Sequence, residues 1–180
     1  VAALVLAGED LLAVLDAVGK LQPVPGRMAL VPNSLNLQVI VDYAHTPHAL
    51  ELVLQALRPH VSGALITVFG CGGHRDKEKR PLMGRVACAL SDRVVVTSDN
   101  PRSEDPLHIM REIEAGCSGN YALVADRAEA IATAVAIAGA GDCVVIAGKG
   151  HEDYQLVAGA RLPFSDEAHA RAALARRTAT

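Results

Sequence analysis

The sequence predicts an α/β fold in which a mostly parallel sheet carries helices on both faces. From residue 37 onward, short apolar runs alternate with longer segments of helical periodicity, a pattern typical of parallel sheets covered on both sides. The composition agrees, because 51% of the 180 residues are hydrophobic and 21% are charged. Aromatic residues contribute only 3%, so we expect a core of Ala, Val, Leu and Ile side chains.

The residues before this alternating part are expected to form a separate unit. Residues 7–20 place Leu11, Leu15 and Val18 at helical spacing, which predicts an amphipathic helix that ends near Gly19. Residues 21–28 contain two prolines and a glycine, which break regular structure and make this segment the best candidate for a linker. The chain starts without Met, and we expect it to be part of a longer protein.

Strands and helices are predicted in strict alternation after the linker. The expected strands are short runs rich in β-branched residues: 37–42, 64–69, 93–97, 121–124 and 143–147. The expected helices have apolar residues at helical spacing: 47–57, 80–90, 106–115, 127–138 and 166–176. Pro47 suits a first helical turn, and Ser165 or Asp166 suits the cap of the last helix. Residues 155–164 predict a small hairpin that turns at Ala158-Gly159.

Polar residues gather in the loops that directly follow the predicted strands. Because the carboxyl ends of parallel strands meet at one edge of a sheet, we expect these loops to converge on one crevice. Arg102 could hold a carboxylate through its planar guanidinium, and Glu152 could hold an ammonium group. Opposite charges in one crevice indicate a zwitterionic ligand such as an amino acid. The loops are 42–46, 70–77, 99–102 and 148–153.

Several function classes are disfavoured by the sequence. A net charge of -3 argues against a nucleic-acid surface, and no apolar run approaches the roughly 20 residues of a membrane-spanning helix. Arg75 stands where a dinucleotide fingerprint needs its third glycine. Gly148-Lys149-Gly150 lacks both the leading glycine and the Ser or Thr of a P-loop.

Cysteine and histidine residues indicate no metal site. The four cysteines form no CxxC pair, so they predict neither a zinc site nor a redox dithiol, and a reduced, cytoplasmic protein is the simplest interpretation. His45 and His151 lie in strand-end loops without the spacing of metal ligands. For both, a hydrogen-bonded loop histidine and a catalytic histidine remain equally open interpretations.

Six motifs can be read along the sequence: Gly26-Arg27-Met28, Asp42 to Pro47, Phe69 to Gly73 with Arg75-Asp76, Lys79 to Gly84, Asp99 to Arg102, and Gly148 to Gln155. Together they resemble the Mur ligases, and more narrowly the branch that adds meso-diaminopimelate. The motifs follow one another from about residue 21 to the last helix, and together they are highly specific. The resemblance implies a Rossmann-like carboxyl-terminal domain at 29–180, preceded by the end of a central ATP-binding domain at 1–20 and a linker at 21–28.

The resemblance implies an ATP-dependent amide ligase of peptidoglycan synthesis that works through an acyl phosphate. Its partners would be meso-diaminopimelate, UDP-N-acetylmuramoyl-L-alanyl-D-glutamate and ATP with Mg²⁺, with neither nucleic acid nor a membrane, in a cytoplasmic monomer. The P-loop and magnesium ligands of the family are not in this sequence. No catalytic or metal-binding residue is therefore assigned, and the chain alone is expected to be inactive.

The resemblance also implies the roles of individual residues. Arg102, joined by Arg75, would hold the carboxylate at the distal stereocentre of diaminopimelate. Asn100, Glu152 and the Gly148 backbone would hold the ammonium of that stereocentre. The residues implied for diaminopimelate are Arg75, Asp99, Asn100, Arg102, Gly148 and Glu152. For ATP they are Arg27 at the phosphates, Asp42 at the ribose and His45 near the nucleotide. Two alternatives stay open, a lysine-adding ligase, in which Arg102 would have no carboxylate to hold, and a binding module without chemistry.

Overall fold

A six-stranded sheet forms the centre of the computed structural model, which describes residues 2–20 and 24–178. Its strands are β1 (Ala29–Leu30), β2 (Gln38–Asp42), β3 (Leu65–Phe69), β4 (Arg93–Val96), β5 (Tyr121–Leu123) and β6 (Cys143–Ala147). They are arranged in the order β1-β2-β6-β3-β4-β5, and every neighbouring pair is parallel except β1 with β2. The predicted α/β fold with a mostly parallel sheet is thereby confirmed. β1 escaped prediction because two residues show no periodicity.

Helices cover both faces of the sheet. They are α1 (Ala2–Leu6), α2 (Leu11–Gly19), α3 (Pro47–Leu57), α4 (Lys79–Leu90), α5 (Pro106–Glu114), α6 (Arg127–Ile137) and α7 (Asp166–Thr178), with a 3₁₀ turn at Arg58–His60. One core cluster packs α3, α4 and α5 against the sheet, and a second packs α6 and α7 against the opposite face. None of the helices in the described residues is long and apolar enough to cross a membrane.

Side-chain caps explain where several helices begin. The side chain of Thr46 accepts a hydrogen bond from Ala49 N before α3, and Asp126 does the same for Glu129 N before α6. The helix predicted at 7–20 is wrong at its start, because Asp10 caps α2 by accepting from Ala13 N at 3.0 Å. The predicted linker falls partly outside the described residues, since 21–23 is not among them.

A separate hairpin lies beside the edge where the strands end. Its strands are β7 (Tyr154–Val157) and β8 (Ala160–Pro163), and Ala158 and Gly159 turn between them with φ of 48° and 81°. Two residues of positive φ are typical of a tight hairpin turn, so the predicted hairpin is confirmed. Backbone hydrogen bonds attach it to the loop after β4, from Arg102 N to Leu156 O at 2.8 Å and from Ala158 N to Arg102 O at 2.6 Å.

Candidate functional site

A cavity of about 380 Å³ opens at the carboxyl ends of the parallel strands. All four of the polar strand-end loops contribute to it, as their position after parallel strands predicted. Six of its lining residues are those implied for diaminopimelate, and His45 is a seventh from the predicted set. The described lining consists of Tyr43, His45, Thr46, Gly72, Arg75, Asp76, Lys79, Asp99, Asn100, Arg102, Gly148 and Glu152.

Asp99, Asn100 and Glu152 form a group of hydrogen-bond acceptors at this cavity, which we call the acidic cluster. Asn100 Nδ2 donates to Glu152 Oε2 at 2.9 Å, and Leu156 N donates to Asn100 Oδ1 at 2.9 Å. Gln155 Nε2 donates to the carbonyl of Asp99 at 2.7 Å. The hairpin therefore holds the acidic cluster by side-chain and backbone hydrogen bonds.

Arg75 and Arg102 form the basic pair of the cavity, and both side chains lie close to Gly72. A Cβ at Gly72 would lie 2.9 Å from Arg102 Nη1 and 3.6 Å from Arg75 Cγ, so glycine leaves the room that both side chains use. Arg102 Nη1 donates to the carbonyl oxygens of Gly73 at 2.8 Å and Asn100 at 3.3 Å. Its backbone has a φ of 57°, a left-handed conformation that costs about 1–2 kcal/mol outside glycine. The hydrogen bonds to the hairpin offset that cost.

The ammonium of Lys149 lies behind the acidic cluster and is completely buried. Its Nζ lies 3.1 Å from Asp99 Oδ1, 3.0 Å from Asn100 Oδ1 and 3.4 Å from Glu152 Oε2. Sequence reasoning considered Lys149 only as the lysine of a P-loop and missed this role. The sequence did contain a signal for this role: Lys149 is flanked by two glycines and stands three residues before Glu152, in a loop that follows a strand.

A second buried cation, Arg127 at the start of α6, bonds the backbone just before the loops 99–102 and 148–153. Its Nε and Nη2 donate to the two carboxylate oxygens of Asp166 at 2.7 and 2.8 Å. The remaining donors reach the carbonyls of Ala147 at 3.0 Å and Ser98 at 3.2 Å, at the ends of β6 and β4. Burial alone lowers the pKa of Arg127, but the Asp166 carboxylate outweighs it and holds that pKa above its ordinary value.

The loop 70–77, which contains three glycines, is anchored by a third buried cation, Arg80. Arg80 donates to both Glu104 and Glu112, and its Nη2 donates to the carbonyl of Gly72 at 3.1 Å. The Arg80 guanidinium, and then the backbone N–H of His74, lower the pKa of Glu104 from 4.5 to about 2. Arg80 and its two carboxylates therefore set the position of the loop that carries Arg75.

The residues implied for ATP lie around Tyr43. His45 Nδ1 lies 2.8 Å from Tyr43 O, and the Arg27 guanidinium lies 5.5 Å from the Tyr43 ring centroid. Asp42 accepts hydrogen bonds from the backbone N–H groups of Met28 at 2.8 Å and Ala44 at 2.7 Å. Arg27 and Asp42 are not among the described residues that line the cavity. The described residues also hold no group of three or more His, Cys, Asp or Glu side chains suited to a metal ion.

Comparison with known proteins matches this chain to one family model and to several named ligases. The model, described as "Mur ligase, glutamate ligase domain", matches residues 26–150. The UDP-N-acetylmuramoyl-L-alanyl-D-glutamate--2,6-diaminopimelate ligase of Acidovorax sp. (strain JS42) is 56% identical over 175 residues, which cover 94% of this chain and 35% of that protein. The protein of the same name from Synechococcus elongatus is 53% identical over 173 residues, covering 94% and 34%.

A solved structure of a protein with that name has a similar fold. It superposes with a TM-score of 0.83 at 46% sequence identity, over 99% of this chain and 37% of the other. The chain therefore spans about a third of the length of the curated relatives and of the solved structure that it matches.

Proposed function

The chain belongs to the Mur ligase family, and from this premise we propose that it is the carboxyl-terminal, amino-acid-binding part of an ATP-dependent ligase. The whole enzyme would join meso-diaminopimelate to UDP-N-acetylmuramoyl-L-alanyl-D-glutamate during peptidoglycan synthesis in the cytoplasm, as a monomer. The observation that carries the proposal is the cavity, in which the acidic cluster and the basic pair face one space of about 380 Å³. That volume suits a small ligand, and the names of the relatives support diaminopimelate as its identity.

In this proposal the acidic cluster receives the ammonium at the far end of diaminopimelate. Asp99 and Glu152 supply carboxylate oxygens, and the Gly148 backbone lies beside Asp99, whose Oδ2 is 3.6 Å from a Cβ placed on Gly148. Asn100 contributes mainly by orientation, because its Oδ1 already accepts from Lys149 and Leu156 while its Nδ2 donates to Glu152. Charge-assisted hydrogen bonds of this kind are about twice as strong as neutral ones.

The basic pair receives the carboxylate of the same stereocentre. Arg102 uses Nη1 to bond two backbone carbonyls, while neither its Nη2 nor its Nε bonds to any of the described residues. Those donors remain for a carboxylate, which a guanidinium can hold through two parallel hydrogen bonds. The Arg75 side chain also lies close to Gly72 and adds a second positive charge.

ATP is proposed to reach the chain near Tyr43, with Arg27 at the phosphates, Asp42 at the ribose and His45 close to the nucleotide. The two hydrogen bonds that Asp42 accepts tie it to the turn that carries Arg27, so the two residues would move together. Magnesium is assigned to no residue of this chain, because the described residues offer no group of three suitable ligands.

The division into units is also part of the proposal. We assign residues 1–20 to the end of the ATP-binding domain, 21–28 to a linker and 29–180 to the amino-acid-binding domain. In support, Val14 is the only buried residue among 2–20, whereas Leu6 and Leu12 are 88% and 74% exposed. Exposed leucines of this kind would be covered by the remainder of the domain to which they belong.

The reaction has two steps in which this chain binds and orients one reactant. ATP transfers its terminal phosphoryl group to the γ-carboxylate of D-glutamate, which forms an acyl phosphate and ADP. The amine of diaminopimelate then attacks the acyl carbon, phosphate leaves, and the nitrogen loses a proton. The acidic cluster and basic pair hold the far end of the amino acid, so that the near amine is presented at a fixed distance from the acyl carbon. Closure over the reactants would exclude water from the acyl phosphate.

The test is calorimetric titration of the chain with three amino acids that differ by one charged group. These are meso-diaminopimelate, L-lysine, which lacks the second carboxylate, and 2-aminopimelate, which lacks the second amine. We expect diaminopimelate to bind at least about tenfold more tightly than either of the others, since each of the others lacks the group that would pair with the basic pair or with the acidic cluster. Equal affinity for all three, or no binding of diaminopimelate, would contradict the proposal. Tighter binding of L-lysine would favour the lysine-adding ligase.

A turnover measurement separates an enzyme from a binding module. The intact ligase that contains this chain should form the amide only when ATP, the UDP-linked dipeptide and diaminopimelate are all present. Binding of diaminopimelate by the chain together with no turnover by the intact protein would favour the module without chemistry.

A further inference from the structure

The buried Lys149 contacts every member of the acidic cluster without being one of the described residues that line the cavity. Its side chain is 0% exposed, and its nearest aromatic neighbour is Tyr154, whose ring centroid lies 5.7 Å from Nζ. An ammonium removed from water is unfavourable unless carboxylates and hydrogen bonds surround it. Replacement of buried ionic groups by well-packed apolar side chains is often neutral or stabilising, so filling space does not require a lysine. The lysine therefore calls for an explanation beyond packing.

The hydrogen bonds of Lys149 determine the orientation of the Asn100 amide. Asn100 Oδ1 accepts from Lys149 Nζ at 3.0 Å and from Leu156 N at 2.9 Å, which uses both of its lone pairs. With its oxygen held on that side, the Asn100 amide must direct Nδ2 to Glu152 Oε2. Lys149 Nζ also reaches that oxygen and Asp99 Oδ1. One cation thus orients three side chains that all face the cavity.

The charge that Lys149 leaves at the acidic cluster suits an ammonium ligand. Counted as carboxylates, Asp99 and Glu152 carry two negative charges, and Lys149 offsets one of them. The neighbouring Arg127 is already paired with Asp166. One negative charge remains at the acidic cluster, which matches a single ammonium group and disfavours a second cation.

We propose that Lys149 is a positioning residue that orients Asp99, Asn100 and Glu152 and leaves the cluster with one net negative charge for one ligand ammonium. The inference rests on the function proposed above for the identity of the ligand. Lys149 itself does not touch the ligand and acts only through the acidic cluster.

The first experiment needs no ligand. Amide hydrogen exchange at Leu156, which donates to Asn100, is measured by NMR in the wild-type chain, in Lys149→Ala and in the control Lys20→Met. Lys20 pairs with Asp16 at 2.6 Å, but both side chains are exposed. We expect exchange at Leu156 to rise about tenfold or more in Lys149→Ala and to stay unchanged in the control. Unchanged exchange in Lys149→Ala would overturn the proposal.

The second experiment distinguishes positioning by charge from filling of space. The affinity of Lys149→Ala for meso-diaminopimelate is measured with and without n-propylammonium, which replaces the missing part of the side chain, and with the neutral n-propanol. We expect the affinity to fall at least about tenfold and to recover with propylammonium alone. Equal recovery with both additives, or no loss of affinity, would overturn the positioning role.

The proposal can still be tested if Lys149→Ala does not fold or if the wild-type chain does not bind diaminopimelate. If Lys149→Ala does not fold by itself, recovery of the folded state by propylammonium and not by propanol supports the proposal, and recovery by both overturns it. If the wild-type chain binds no diaminopimelate, the proposed function fails, while exchange at Leu156 still decides whether Lys149 orients the acidic cluster.

Discussion

Two buried cations near the carboxyl ends of the strands, Arg127 and Lys149, are equally hidden from water but differently surrounded. Arg127 meets one carboxylate through two parallel hydrogen bonds, and its other donors reach backbone carbonyls. Lys149 is a point charge shared among two carboxylates and an amide. The first arrangement is neutral and complete, whereas the second keeps a negative charge at the cavity. We therefore expect burial of charge to serve stability around Arg127 and ligand recognition around Lys149.

The largest effect should come from breaking the neutral pair. Asp166→Asn leaves the Arg127 guanidinium without its counter-charge in a fully buried place, so the free energy of unfolding should fall by about 3–5 kcal/mol. Urea denaturation measures the change. The matched control is Asp153→Asn, because Asp153 is exposed and pairs with Arg161 at 3.2 Å. A loss below about 1 kcal/mol in Asp166→Asn, as expected for the exposed control, would remove the contrast between the regions.

A somewhat smaller effect is expected at the cavity, where it should appear in selectivity instead of stability. In the proposed site, Arg102→Ala would remove the partner of the second carboxylate of diaminopimelate, which should cost about 2–5 kcal/mol of binding, or roughly 30-fold to several thousand-fold in affinity. L-Lysine, which lacks that carboxylate, should bind no worse than before. Arg102→Lys should not restore the affinity fully, because an ammonium cannot form the paired hydrogen bonds.

Dissociation constants of both amino acids measure this selectivity, and Arg161→Ala is the control because Arg161 is an exposed arginine of the nearby hairpin. An equal loss for diaminopimelate and L-lysine would make Arg102 a structural residue. The selectivity would then have to come from elsewhere in the cavity, with Arg75 as the next candidate.

The third buried cation, Arg80, offers an intermediate case because its carboxylates reach the surface. The pKa of Glu104 is lowered to about 2, so its contribution to stability is complete above its ordinary value of 4.5 and is lost as the pH falls toward 2. Glu104→Gln should be less stable than the wild type at neutral pH, and the difference should shrink over that acid range. Thermal unfolding at several pH values measures it. A difference that is constant with pH would contradict the ion pair.

The smallest effect is expected at the exposed pair of Lys20 and Asp16. Their atoms are as close, at 2.6 Å, as those of Arg127 and Asp166, but both side chains are in water. Lys20→Met should therefore change the free energy of unfolding by less than about 0.5 kcal/mol. Urea denaturation again decides, and a loss above about 1 kcal/mol would show that distance matters more than burial.

The elements and the loops around the cavity could be predicted from the sequence. Predicted strands and helices after residue 37 match the observed ones within one or two residues, because hydrophobic periodicity and capping are local properties. The four polar loops could be assigned to one edge because parallel strands share a direction. Arg102 could be predicted as a site residue because a guanidinium suits a carboxylate ligand. Its positive φ could not be predicted, because hydrogen bonds to the distant hairpin stabilise that conformation.

By itself, the sequence determined the α/β alternation and which loops carry charged side chains, since both depend on neighbouring residues. Only the tertiary structure decided that β6, the last strand of the sheet in the chain, lies between β2 and β3. That placement brings Lys149 to Asp99, 50 positions earlier, just as folding brings Arg127 to Asp166, 39 positions later. Pairing of buried charges depends on contacts between distant segments, and no local pattern in the sequence encodes which partner a buried cation will meet.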